Sequence, residues 1–155
     1  MPAVGADRFE NAGAKHIVCH TMEMMLASLS LIWGGVCERF PKVRFAFLES
    51  GGGWMAAWLD RMDRHFDESK VWGPPVRTKP SEIFRRQCWI SFEPIEGTIA
   101  SMAEYLGPSK ILWATDYPHL DGFFPGAPAM IAEKLPQNIR RQVMAQGAID
   151  FYNLR

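Results

Sequence analysis

Three acidic residues that could bind a metal ion or transfer a proton each follow a short apolar stretch: Glu49, Glu93 and Asp116. The run 111–114, which leads to Asp116, is apolar without alternation, as is typical of a strand buried on both faces. The carboxyl ends of parallel strands lie on one rim of an α/β fold, where ligands bind and catalysis occurs. We therefore predict that the three carboxylates converge on such a rim, with Asp116 as the leading residue.

Asp116 has a second interpretation, because aspartate often hydrogen-bonds the backbone of its own turn. Pro118 supports a turn here, since proline has no N–H to donate to a strand ladder. His119 lies three residues after Asp116 and could orient its carboxylate or contact a substrate. A single loop histidine can equally be a structural hydrogen-bonding residue. Both alternatives remain open from the sequence.

A second group of possible metal ligands precedes these residues, in the order His16, His20 and Glu23. Spacings of four and three residues place all three side chains on one face of a helix, an arrangement that zinc can use. The spacing alone is not specific, because the HExxH pattern of zinc-dependent proteases is absent. The alternative is that these histidines form ordinary hydrogen bonds.

The run Gly51–Gly53 lies between a predicted strand and a predicted helix. Glycines in this position leave backbone N–H groups free to face a ligand. The run lacks both the GxGxxG spacing and the lysine of a P-loop, so it does not predict nucleotide binding.

Apolar periodicity predicts the elements that position these side chains. From roughly His16 or His20 to Arg39, apolar residues cover most of a helical circumference, which predicts a largely buried helix with Thr21 as a candidate N-cap. We expect a loop over residues 1–14. Further helices are predicted from Trp54, over 82–86, 98–106 and 129–135, and from Pro136, and strands over 43–48, 88–92 and 111–114. Because a helix lies in each crossover, the strands should be parallel.

Composition excludes several classes of protein. The 155 residues contain 48% hydrophobic residues and equal numbers of acidic and basic residues, so nothing predicts disorder or nucleic-acid binding. The cysteines, Cys19, Cys37 and Cys88, form no CxxC motif and predict reduced thiols in a cytoplasmic protein. We find no signal peptide, and the apolar stretch 24–36 is too short to span a membrane.

Several motifs together resemble the amidohydrolase-related ("amidohydrolase 2") family of metal-dependent hydrolases and decarboxylases. The resemblance covers residues 5–155. It is carried by the run from Gly34 to Trp54, by Trp58, Leu59, Arg61 and Asp63, by Lys79–Glu82, by Cys88–Glu93, and by Ala114–His119.

This resemblance implies a (β/α)₈ TIM barrel whose metal site uses an HxH pair on the first strand, a histidine on the fifth and an aspartate on the eighth. Asp116 matches that aspartate, and the three predicted strands match the sixth to the eighth. The chain has no HxH motif, and 155 residues are too few for a barrel of about 250. We therefore expect residues 1–155 to form a single partial barrel domain of α/β class, the C-terminal part of such an enzyme. In this alignment His20 is expected to hydrogen-bond rather than to bind metal.

The implied activity is metal-dependent hydrolysis or decarboxylation of a small organic acid or amide, with zinc as the expected divalent ion if the site is completed. Asp116 would bind the metal and transfer a proton, while Glu49 and His119 position the substrate. Glu49 departs from the decarboxylase branch, which has a catalytic histidine at that position. The alternative is an inactive fragment or interaction module that forms an oligomer through its exposed sheet edges. Neither reading implies a nucleic-acid or membrane partner.

Overall fold

A three-stranded parallel sheet forms the centre of the fold in the computed structural model, which describes residues 4–155 apart from the side chain of Ser69. Its strands are β1 (Phe45–Phe47), β2 (Cys88–Phe92) and β3 (Ile111–Trp113), in the order β1-β2-β3. Phe47 of β1 pairs with Ile90 of β2, which pairs with Ile111 of β3. The predicted parallel arrangement is confirmed, and the bounds predicted for β2 agree with the structure.

Helices provide every connection between the strands. A 3₁₀ turn (Ala6–Arg8), α1 (Ala12–Ile32) and α2 (Val36–Arg39) precede β1. Three helices, α3 (Met55–Asp67), α4 (Ser69–Trp72) and α5 (Pro80–Gln87), connect β1 to β2. α6 (Ile99–Leu106) and a 3₁₀ turn (Pro108–Lys110) connect β2 to β3. α7 (Ala127–Lys134), α8 (Gln137–Arg141), a π turn (Gln142–Gln146) and α9 (Gly147–Tyr152) follow β3.

The core lies between one face of the sheet and the helices that connect its strands. Ile90 and Phe92 point to this face, because alternate residues of a strand share a face. They belong to one buried cluster with Leu59 of α3, Ile83 of α5 and Ile99 of α6. On the opposite face, the ring of Phe151 in α9 meets Trp89 edge-on, with 5.3 Å between the ring centroids. The C-terminal helix therefore covers part of the second face.

The first helix differs from its prediction in both extent and burial. It begins at Ala12, where the Asn11 side chain accepts a hydrogen bond from the backbone N–H of Ala14 at 3.0 Å. It stops before Gly35, which has a left-handed φ of 78° and separates it from α2. Thr21 is therefore not an N-cap but lies within α1. Only Ser28 and Ile32 of α1 are buried, so the predicted burial is wrong. Apolar side chains occur on most sides of α1, which is why burial was predicted. The rest of the described chain packs against only part of this surface.

The helices in the described part of the chain, residues 4–155, all fall short of the length and apolar character that a membrane-spanning helix requires.

Candidate metal centre

The carboxyl ends of β1 and β3 bring together two acidic side chains and one histidine. Glu49 follows β1, and Asp116 and His119 follow β3. One possible ligand atom from each of these three side chains lies within 4.8 Å of those from the other two. The three residues predicted to form the site therefore meet in space. Glu93 follows the middle strand on the same rim but does not belong to this group.

Asp116 and His119 are in direct contact within this cluster. Both carboxylate oxygens of Asp116 lie 3.1 Å from Nδ1 of His119, and the nearer Glu49 oxygen lies 3.9 Å from the same nitrogen. The side chain that caps the turn is that of Thr115, whose hydroxyl accepts a hydrogen bond from the N–H of Tyr117 at 3.3 Å. Since the Asp116 carboxylate faces the imidazole, the structure favours a role in the cluster over the turn-capping alternative.

Both acids of the cluster have left-handed backbone conformations. Glu49 has a φ of 61° and Asp116 a φ of 56°. This region costs a residue with a Cβ roughly 1–2 kcal/mol, and strained positions of this kind concentrate at functional sites. The surrounding loops must supply the contacts that hold these two conformations.

The Glu49 backbone is held by the neighbouring strand and by α1. Its N–H donates to the Ser91 hydroxyl in β2 at 3.2 Å, and its carbonyl accepts from Nδ1 of His20 at 3.3 Å. The Thr21 hydroxyl donates to the carbonyl of Ser50 at 3.1 Å. His20 thus makes the hydrogen bond expected for it. Within residues 4–155, His16, His20 and Glu23 do not form a metal-binding group.

The Asp116 turn depends on close packing of its backbone. The N–H of His119 donates to the Asp116 carbonyl at 2.9 Å, and the N–H of Phe123 donates to the Thr115 carbonyl at 2.7 Å. A Cβ added at Gly122 would lie 2.8 Å from the Asp116 carbonyl oxygen, so only glycine fits there without a shift. This packing fixes the positions from which Asp116 and His119 project.

The glycine run is occupied by a side chain of the protein itself. Oε2 of Glu96 accepts from the N–H of Gly52 at 3.0 Å and from that of Gly53 at 3.3 Å, while Oε1 accepts from the N–H of Glu93 at 2.7 Å. The expectation that these glycine N–H groups face a ligand is therefore wrong. Sequence reasoning missed Glu96, because it lies 44 residues from Gly52 and no local pattern links the two.

Glu93 is the remaining acid of the rim, and its environment disfavours its charged form. Partial burial raises the pKa of the Glu93 carboxyl, and the negative charges of Glu96, Asp116 and Asp121 raise it further, while His16 opposes them. Glu93 is nevertheless exposed, so its carboxyl can exchange protons with water. The Glu93 carboxyl, which lies beside the cluster, therefore loses its proton less readily than an ordinary glutamate.

A cleft of about 280 Å³ adjoins the cluster and includes Glu49, Glu93 and Asp116 in its wall. The remaining lining is mostly apolar and consists of Leu48, Ser91, Phe92, Leu112, Trp113, Ala114, Ala148 and Tyr152. An apolar cleft with a few converging polar groups is the usual form of a small-molecule site. Another cavity of about 280 Å³ lies between α1 and α3, at Trp33 and Trp58, away from these acids.

Comparison with known proteins identifies relatives over nearly the whole chain. The profile of the amidohydrolase family matches residues 5–154. The chain is 24% identical over 153 residues to the 2-amino-3-carboxymuconate-6-semialdehyde decarboxylase of Dictyostelium discoideum. This match covers 97% of the chain and 42% of that relative.

Solved structures show the same fold. The 5-carboxyvanillate decarboxylase of Sphingomonas paucimobilis is 26% identical, with a TM-score of 0.76 over 97% of this chain and 46% of that one. A manganese-bound dihydroxybenzoic acid decarboxylase of Polaromonas is 18% identical, with a TM-score of 0.63 over 88% of this chain and 41% of that one. The chain thus spans less than half the length of each of these proteins. The predicted fold class, the C-terminal part of a TIM barrel, is confirmed.

Proposed function

The chain belongs to the amidohydrolase family, and on this premise we propose that it forms part of the divalent-metal site of a decarboxylase or hydrolase acting on a small organic acid. The observation that carries the proposal is the convergence of Glu49, Asp116 and His119 at the carboxyl ends of β1 and β3. On this view residues 1–155 contribute one partial barrel domain. The residues of this chain supply a portion of the site.

The donor set fits a divalent metal ion. Two carboxylates and one imidazole are the ligand types that zinc and manganese both accept, and three protein ligands are the usual number at a catalytic zinc. The family resemblance implies Asp116 as a ligand, and the proximity of Glu49 and His119 supports including them in the proposed ligand set. When bound, such an ion polarises a carboxylate or carbonyl oxygen of the substrate. Zinc is the ion expected from the sequence, and manganese is the ion bound by the Polaromonas relative.

Decarboxylation of a small carboxylic acid is the reaction that the named relatives favour. The Dictyostelium and Sphingomonas relatives are both named as decarboxylases of substrates that carry a carboxyl group. The cleft beside the cluster has a volume of about 280 Å³ and mostly apolar walls, which suits the body of such a molecule. Because Glu49, Glu93 and Asp116 line the cleft, a substrate carboxylate would be unpaired there without a cation. This is a second reason to place a metal ion at the cluster.

The residues of the chain would hold the cluster in place and exclude water from the substrate. Nδ1 of His119 lies 3.1 Å from the Asp116 carboxylate, and a hydrogen bond between these two groups orients the imidazole. The Glu49 carboxylate approaches the same nitrogen at 3.9 Å. The apolar residues Leu112 and Tyr152 would exclude water from the body of the substrate.

Binding of Mn²⁺ and Zn²⁺ to the 155-residue chain tests this proposal. We expect saturable binding at one site, weakened by at least about tenfold in Glu49→Gln, Asp116→Asn and His119→Gln. Glu104→Gln and His65→Gln serve as controls, because both residues lie on helices outside the cluster. Wild-type protein that binds neither ion, or controls that lose as much affinity as the cluster variants, would contradict the proposal.

A second candidate function is that of an interaction module without activity of its own. Within the described residues, β1 and β3 each pair on one side only, with β2, so their outer edges are open. Ile17, Met22 and Leu26 of α1 are also exposed. Unpaired edges of this kind favour association with another strand-bearing chain or with a second copy. Sedimentation velocity distinguishes the two candidate functions. A metal-free oligomer supports the interaction module, and a metal-binding monomer contradicts it.

A further inference from the structure

We propose that Glu96 is a positioning residue of the candidate metal centre, because its carboxylate fixes the segment Glu49–Gly53 and thereby the Glu49 side chain. This inference rests on the proposed metal-binding function and adds a residue that is neither a proposed metal ligand nor part of the cleft lining. Glu96 would act through the backbone of the loop that follows β1.

Both oxygens of the Glu96 carboxylate are used. The N–H of Gly52 lies 3.0 Å from Oε2 and 3.3 Å from Oε1, and the N–H of Gly53 lies 3.3 Å from Oε2. Oε1 also accepts from the N–H of Glu93 at 2.7 Å. One side chain therefore joins the loop after β1 to the loop after β2. A neutral amide could not reproduce this, because glutamine presents one oxygen and would turn an NH₂ group toward N–H donors.

The glycines of the run are required for this contact. Gly51 has a left-handed φ of 68°, and the position of a Cβ on it would lie 3.4 Å from Oε2 of Glu96. A Cβ on Gly52 would lie 2.2 Å from the Phe92 ring, so the backbone there packs directly on β2. The glycines of the run Gly51–Gly53 thus leave room for the Glu96 carboxylate and the Phe92 ring.

The Glu96 carboxylate affects the position of Glu49 because the segment between Glu49 and Gly53 forms hydrogen bonds with the β2 region at both ends. At its start, the N–H of Glu49 donates to Ser91, and at its end the N–H groups of Gly52 and Gly53 donate to Glu96. The strained φ of 61° at Glu49 is then held from both sides. Release of one end would let Glu49 relax toward an unstrained conformation and move its carboxylate away from His119.

A purely structural role is the competing explanation. Gly52 and Gly53 lie just before α3, and a carboxylate near the start of a helix stabilises it by about 0.3–1 kcal/mol through the helix dipole. That role would lower the melting temperature without a specific effect on metal affinity. The experiment must therefore separate stability from the position of Glu49.

Chemical rescue of Glu96→Gly by acetate makes this separation. We expect the variant to bind Mn²⁺ about tenfold more weakly than wild type and acetate to restore most of that loss, because acetate can occupy the carboxylate position. Glu104→Gly in the same acetate concentrations controls for direct effects of acetate on the ion. Glu96→Gln preserves the size of the side chain and, if Glu96→Gly fails to fold, provides the affinity measurement, with the same loss expected.

Hydrogen exchange at the Glu49 amide gives a second readout that needs no metal. We expect Glu96→Gly, or Glu96→Gln in its place, to accelerate this exchange, with acetate reversing the effect in Glu96→Gly. If wild type binds no metal but the Glu49 amide responds as described, the proposed function fails and the positioning role of Glu96 stands. A lower melting temperature with unchanged Mn²⁺ affinity and unchanged Glu49 exchange would overturn the positioning role.

Discussion

The hydroxyl of Ser91 accepts a hydrogen bond from the backbone N–H of Glu49 at 3.2 Å, so the middle strand holds the acid that follows the edge strand. Ser91 also lies in the wall of the cleft beside Asp116. The position of Glu49 relative to Asp116 and His119 therefore depends on β2, although no cluster residue lies on that strand.

Ser91→Ala should weaken metal binding. The change leaves the Glu49 N–H without this acceptor and should lower the free energy of unfolding by about 1 kcal/mol and Mn²⁺ affinity by about tenfold. Ser101→Ala is the matched control, since the Ser101 hydroxyl donates to the Thr98 carbonyl at an exposed position on α6. Equal Mn²⁺ affinity in the two variants would show that Ser91 does not position Glu49.

Gly52→Ala should destabilise the fold through steric overlap. The added Cβ would lie 2.2 Å from the Phe92 ring, and relief of such overpacking costs about 1–3 kcal/mol. Gly97→Ala has no atom within 4 Å of the added Cβ and should change stability by less than about 0.5 kcal/mol. Urea unfolding of both variants measures the difference. The same loss in both would mean that Phe92 does not pack against the loop.

Tyr105 should ionise at higher pH than an ordinary tyrosine. Burial, together with the hydrogen bond that its hydroxyl donates to Asp60, raises the pKa of Tyr105 to about 12. Since the folded protein then holds this proton more tightly than the unfolded chain, the contribution to stability is complete below pH 10 and is lost as the pH rises toward 12. An absorbance titration of wild type against Tyr105→Phe isolates this group. Asp60→Asn should lower the Tyr105 pKa, and an unchanged value would exclude Asp60 as a cause.

Local sequence patterns were sufficient for the strands and for the acids that end them. Cys88–Phe92 is a short apolar run between a helix and a proline, and the structure gives β2 the same bounds. Asp116 and His119 are three residues apart, so a single turn brings them together. Because parallel strands end on one rim, Glu49 could be placed near them without knowledge of the contacts.

Long-range contacts explain what the sequence did not reveal. Glu96 and Gly52 are 44 residues apart, and nothing near either residue indicates that a carboxylate fills the glycine loop. The burial of α1 was also overestimated, since periodicity describes the helix surface but not how much of it the remaining chain covers. The apolar side chains of Ile17 and Leu26 remain exposed for this reason.

The position of a bound ion is the most direct test of the metal centre. Crystals of the 155-residue chain grown with Mn²⁺ should show an anomalous difference peak in contact with the side chains of Glu49, Asp116 and His119 when data are collected at the manganese absorption edge. The same crystals of Asp116→Asn should lose the peak. A peak elsewhere on the protein, or its absence from this cluster at saturating Mn²⁺, would contradict the account.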